Sequence, residues 1–258
     1  MTTLVSGQSQ DNDFAERVLL GTVPNVSRIT SLGLATIATT SAVPQDIWPG
    51  AAVYPFMTAA TSLEVLSNNV NDTAAGTGAQ QVIISGLDIN YNTITSTINL
   101  NGTTVVAVPT QFFRINSARC ALITPTTGSQ TNIGTITIRD AGGGTTRAII
   151  NPGIGTSQQA IYTVPNGFLL TIQSMELQIP GSAGGTARGT DAFLVFRQSN
   201  GFYFTPRKLT CTDVQPYMLI ALDGIPVTQK TDFFIRCTYA SANNMQVGAA
   251  WEGHLYKL

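Results

Sequence analysis

The chain has 258 residues, 43% of them hydrophobic and only 10% charged, and its 13 basic and 14 acidic groups leave a net charge of −1. An ordinary soluble domain is about 25% charged, so neutral polar groups, above all 36 threonines, must cover most of this surface. That composition can build a core and excludes wholesale disorder; it also excludes a phosphate-reading surface, because the first lysine is Lys208 and the ten arginines are spread from Arg17 to Arg236.

Residues 1–45 differ from the rest. Met1 to Asp13 is polar and irregular, and with neither a basic nor an apolar region it carries no expected secretory signal. The stretch from Asp13 to Leu20 predicts a short helix, with Asp13 as cap, Glu16 at the capping-box position and Gly21 as the stop. Thr22 to Pro44 is small, almost uncharged and without clear period. It reads as an extended arm that packs on a neighbouring chain, or as a disordered leader.

From Asp46 onward the pattern is β. Ile94, Ile98 and Leu100 alternate with Thr93, Thr95 and Thr97, and Asn101-Gly102 then predicts a hairpin into residues 103–108. Residues 133–139 and 145–150 flank Asp140-Ala-Gly-Gly-Gly144 as a second hairpin. Residues 193–197 and 202–204 flank Asn200-Gly201 as a third. Phe233, Ile235, Cys237 and Tyr239 share one face of a late strand; Val247, Ala249, Trp251 and Leu255 share one face of the last. The longest apolar run, Tyr217 to Leu222, is strand length, far short of the 18 or so residues of a membrane span. About sixteen strands are too many for one simple sandwich. The expected fold is all-β: two tandem antiparallel, jelly-roll-like sandwiches over 46–156 and 157–258, preceded by the arm at 1–45.

Chemistry is thin. His254 is the single histidine and sits on the polar side of the last strand, where an exposed structural residue is expected rather than a general base. Asp88, Asp140, Asp191, Asp213, Asp223 and Asp232 all fall near strand ends or turns. There a carboxylate commonly caps backbone amides, although a facing pair could hydrolyse a glycoside. Cys120, Cys211 and Cys237 lack metal-ligand spacing and are odd in number, which points to reduced, buried thiols. The glycines of 75–78 and 141–144 match no phosphate-binding loop. No catalytic residue, cofactor or metal is expected. The aromatics Phe202, Tyr203, Phe204, Tyr217, Trp48, Tyr54 and Phe56 read as core or subunit contacts before sugar-stacking platforms. A net charge near zero also favours a chain meant to associate.

The order Asp46-Ile-Trp-Pro-Gly50, Tyr54-Pro-Phe56, Leu63-Glu-Val-Leu-Ser67, Asn71-Asp-Thr73, Gly76-Thr-Gly-Ala79 and Gly86-Leu-Asp88 resembles a segment of tailed-bacteriophage virion structural proteins. The resemblance continues through Leu100 to Thr104, Arg114-Ile115 and Asn132-Ile-Gly134, and covers roughly 46–165. Tyr162 to Gly167 and the following apolar strand are similar to β-sandwich modules of the same class. The resemblance implies a non-enzymatic capsid decoration or cement protein, assembled in the host cytoplasm and resident in the virion. Its partners would be the major capsid protein and copies of itself, as a homotrimer, with no nucleic acid or membrane. Phe14, Val18 and Leu19 are the expected arm anchors and Trp48 the pivot into the first sandwich. A tail, baseplate or fibre component that recognises the host surface is the alternative.

Overall fold

Alternating apolar and polar residues favour strands because side chains two apart share a face of the pleat. In the computed structural model, the described residues are 14–258 apart from 15, 39, 41, 42, 51, 124–127, 181–187 and 214. The polar segment 1–13, with the expected helix cap Asp13, lies outside them. Residues 14 and 16–19 are helical, the helix ends where Leu20 N–H reaches the Glu16 carbonyl at 2.9 Å, and Gly21 turns the chain at φ 68°.

Sixteen strands follow among the described residues. They are β1 (Val26–Ile37), β2 (Gln45–Asp46), β3 (Leu63–Ser67), β4 (Gln81–Leu87), β5 (Thr93–Asn99), β6 (Val106–Ala107), β7 (Arg114–Ala121) and β8 (Ile136–Asp140). Then come β9 (Thr146–Ile150), β10 (Ile161–Thr163), β11 (Phe168–Gln178), β12 (Gly189–Gln198), β13 (Tyr203–Thr212), β14 (Tyr217–Val227), β15 (Thr231–Ala240) and β16 (Met245–Lys257). The all-β, antiparallel expectation holds. By hydrogen bonding the strands form four sheets, not two clearly delimited sandwiches. The orders are β1-β16-β11-β14; β10-β15-β12-β13 with β2 on β15; β6-β3-β8-β9; and β5-β4-β7.

Side-chain packing pools these sheets into two main cores. One takes Ala35 and Ile37 from β1 together with residues 160–255, including Ile172, Phe196, Phe233, Ile235 and Trp251. The other takes Met57 to Ile150, including Val65, Ile84, Phe112, Ile136 and Ile138. The segment bearing β3–β9 is thus inserted in the chain between β1 and β10. We refer to the eight-stranded module (β1, β10–β16) and the inserted module (β3–β9).

This arrangement corrects two expectations. Residues 26–37 are neither an arm laid on a neighbouring chain nor a disordered leader: β1 pairs with β16 of its own chain along its whole length, from Val26 opposite Tyr256 to Ile37 opposite Met245. Their small residues permit close packing. A methyl group at Gly33 would lie 2.4 Å from the Ala160 nitrogen, and Leu34 N–H donates to the Gln158 carbonyl at 3.1 Å. Nor does Asn101-Gly102 join a hairpin. Gly102 takes the positive φ of 57° that the turn needs, but β5 pairs with β4 and β6 pairs with β3 in another sheet. The chain crosses the core there, and Gly102 is caught between Ser67, which donates to its carbonyl, and the carbonyl of Asp72. The hairpins β8–β9 and β12–β13 form as expected.

Candidate assembly interface

Where the two modules meet, a charged cluster is enclosed by aromatic side chains. Asp232, 3% exposed, is the second residue of β15. Its carboxylate accepts from Arg114 Nε of β7 at 2.8 Å, from Arg197 Nε of β12 at 2.9 Å and from the Thr163 hydroxyl at 2.6 Å. Arg114 also donates to the Met57 and Phe113 carbonyls at 2.8 and 2.7 Å. Its guanidinium lies 3.9 Å from the Phe113 ring centroid, and that of Arg197 lies 3.7 Å from the Phe56 centroid. Two cations on one buried anion, with donors aimed at carbonyls, satisfy the cluster as a unit. It ties the inserted module to the eight-stranded one.

A second tie runs beside it. Asp46 accepts from Arg236 Nε at 2.7 Å and from the Tyr54 amide at 2.7 Å. The Tyr54 hydroxyl donates to the Arg147 carbonyl at 3.0 Å. Burial pushes that hydroxyl well above the ordinary phenol range, so it stays protonated as a donor.

The expected contact residues are placed differently from one another. Trp48 is 3% exposed and packs with Tyr54, Ile161, Val195 and Phe234 at this junction, its Nε1–H donating to the Ala52 carbonyl at 2.8 Å. Its side chain is buried within its own chain. Val18 is buried, Phe14 is 37% exposed and meets His254 edge-on at 5.9 Å, and Leu19 is 62% exposed. The helix therefore lies on its own chain with Leu19 turned outward.

Besides Asp232, three of the aspartates weighed for catalysis are occupied elsewhere, and the side chain of Asp223 lies outside the described residues. Asp140 pairs with Arg147 and Asp191 with Lys208, while Asp88 caps the amides of Asn90 and Asn92 at 2.8 Å each. Burial lowers the His254 pKa, and the imidazole is flanked by Phe14 and Tyr256. The three cysteines are free and buried, with burial pushing the Cys120 thiol up to about 12 and the Cys211 thiol up to about 11. Among the described residues no three His, Cys, Asp or Glu side chains cluster as metal ligands.

The Asp232 cluster was missed from sequence, yet a signal existed. In a charge-poor chain, Arg114, Arg197 and Asp232 each sit directly beside phenylalanines, in Phe112-Phe113-Arg114, Phe196-Arg197 and Asp232-Phe233-Phe234. Charges embedded in aromatic strands must find one another or stay unpaired.

The solvent-facing features lie on the eight-stranded module. Strand β13 is exposed from Tyr203 to Lys208, and the turn before it exposes Phe202. On the β1-β16-β11-β14 sheet, Leu32, Met218 and Ile220 are 48%, 65% and 67% exposed. A cleft of about 660 Å³ opens where this sheet meets residues 116–119 and 154–158.

No family model matches the sequence, and no curated protein matches it. Among solved structures, the VP2 subviral particle of infectious bursal disease virus aligns over 94% of this chain and 77% of that one, at 11% identity and a TM-score of 0.19. The Gt strain structure of the same virus aligns over 94% and 77%, at 10% identity and a TM-score of 0.16. TM-scores this low do not establish a shared fold.

Proposed function

We propose that this chain is a non-enzymatic structural protein of a virion, and within that class a protein that binds an assembled head and stabilises it. The observation that carries the reading is the strand order. Sheets β1-β16-β11-β14 and β10-β15-β12-β13 share one core, the eight-strand winding of a jelly roll, an architecture that recurs in viral capsid domains. The inserted module is the region that resembles tailed-phage virion proteins, and we read the two sheet pairs as two structural modules with it standing out from the jelly roll. The charge-poor surface supports association rather than solubility as the selected property. The carboxylates placed above are taken up by ion pairs and caps, which supports a role in area and shape instead of catalysis. Binding that stabilises a shell works by mass action: a ligand of the assembled form alone shifts the equilibrium toward it.

The test is co-sedimentation of the full chain with emptied tailed-phage heads and, in parallel, with host cells. Saturable binding to heads is the expected result. Binding to cells without binding to heads replaces the reading with host-surface recognition by a tail component.

A further inference from the structure

Strand β13 leaves an unusual surface. Its first six residues, Tyr203 to Lys208, are all exposed, although neighbouring residues of a strand point to opposite faces and one face is normally covered. Phe202, Tyr203 and Phe204 are 59%, 51% and 37% exposed and form an aromatic tip at the β12–β13 turn. Arg207 has no ion pair among the described residues, whereas Lys208 is held by Asp191 at 2.9 Å. Contiguous apolar surface of this kind marks a contact site, and aromatic and arginine side chains are the usual anchors of such contacts.

The cleft supplies the complementary features. Its lining combines the exposed Leu32, Ile154 and Met218 with the buried Met175, Tyr162 and Trp251. Trp251 is 2% exposed and backs the lining from the core, packed edge-on against Tyr162 and Phe233. The charged residues of the lining are Glu176, Glu252 and Arg119, a balance of −1. Glu252 is already taken by Arg28 at 2.6 Å, and Glu176 has no ion pair among the described residues. A volume of about 660 Å³ lies within the range that encloses a ligand of several rings.

Resting on the virion reading, we propose that the aromatic tip of one copy seats in this cleft on the next copy, head to tail, with Arg207 facing Glu176. The two surfaces flank one strand. Arg114 at the start of β7 is tied through Asp232 to Arg197, whose Nη1 lies 3.5 Å from the Tyr203 hydroxyl, while Asn116 to Arg119 of the same strand line the cleft. Because the two surfaces differ, the contact is heterologous and propagates into a ring or an array instead of stopping at a pair.

Sedimentation velocity of the full chain over a concentration series tests this. The expected result is association beyond a dimer. Tyr203→Ser at the tip and Met218→Glu in the lining each weaken it by about tenfold or more. Both residues are exposed, so circular dichroism spectra and thermal unfolding should stay as in the parent. Arg207→Glu and Glu176→Arg each weaken association alone, and mixing the two proteins restores it, because every tip again finds a matching cleft. A parent chain that stays monomeric to its solubility limit overturns the proposal, as does association that these variants leave unchanged or that mixing fails to restore. Abundance in purified particles reads the virion role separately. A protein abundant in particles but monomeric in solution removes this contact and keeps the role; an associating protein absent from particles does the reverse.

Discussion

The inserted module and the eight-stranded module handle their surfaces in opposite ways. In the inserted module, short strands are closed by loops whose polar groups are used internally. Asp72, fully buried, accepts from the amides of Ala79, Ile133 and Gly134 at 3.0, 2.9 and 2.8 Å and from the Ser67 hydroxyl at 2.6 Å. Asn132 donates to the Ile150 and Asn151 carbonyls at 3.0 Å and accepts from Gly155 N–H at 3.1 Å. Its exposed large apolar residues, such as Val70, Ile89 and Val105, are scattered along the sequence. Apart from the short β10, the strands of the eight-stranded module run ten residues and more, and the module leaves the edge strands β13 and β14 with Tyr203, Phe204, Met218 and Ile220 exposed. The difference teaches where to look for partners. A module that satisfies itself can stand out in solvent, while one with bare edge strands is completed by something else.

The sharpest way to break this comparison is at the joint. Asp232→Ala leaves Arg114 and Arg197 without their shared anion, one of them buried, and should cost about 3–5 kcal/mol. Calorimetry is expected to show a lower midpoint, with the two modules unfolding in separate transitions. An unchanged single transition would mean that the modules are coupled through their apolar contacts alone. Next in size, Asp72→Ala should cost about 1–3 kcal/mol by stranding the amides that it now satisfies. Its effect should appear in the inserted module's transition only, and denaturant unfolding of the parent and the variant measures it.

The smallest effect concerns acid. Glu64 is held below its ordinary carboxyl value by the Gly142 amide, then by Arg139, which donates from Nε at 2.6 Å. A carboxyl lowered by folding contributes stability that is present above the unfolded value near 4.5 and is lost as pH falls through the folded one. Glu64→Gln should therefore flatten the acid side of the inserted module's stability profile while leaving that of the eight-stranded module unchanged. Acid titration followed by fluorescence and circular dichroism compares the two proteins.

Much of the strand content was legible because it is local. The Thr93 to Asn99 alternation, the glycine turns at 140–144 and 200–201, and the inward set Val247, Ala249, Trp251 and Leu255 all carry their signal within a few residues. What escaped the sequence is long-range. Thr22 to Pro44 looks featureless because β1 packs small residues such as Gly33 and Ala35 against residues 158–160 and takes its partner, β16, from more than two hundred positions away. Asn101-Gly102 forms the turn that its residues favour, yet the strands on either side enter different sheets, a choice made by core packing and not by the turn. Tyr239 departs from its expected inward face because a register shift opposite Asp191 and Ala192 turns it outward. The Asp232 cluster needed three strands to converge, and no spacing in the sequence encodes that.

The measurement that tests the central claim most directly is the copy number of this protein in purified particles, by quantitative mass spectrometry against the major shell protein. A structural protein of the head should be present in hundreds of copies and in fixed ratio to the shell. A small fixed number would move it to the tail, and absence from washed, intact particles would contradict a virion role altogether.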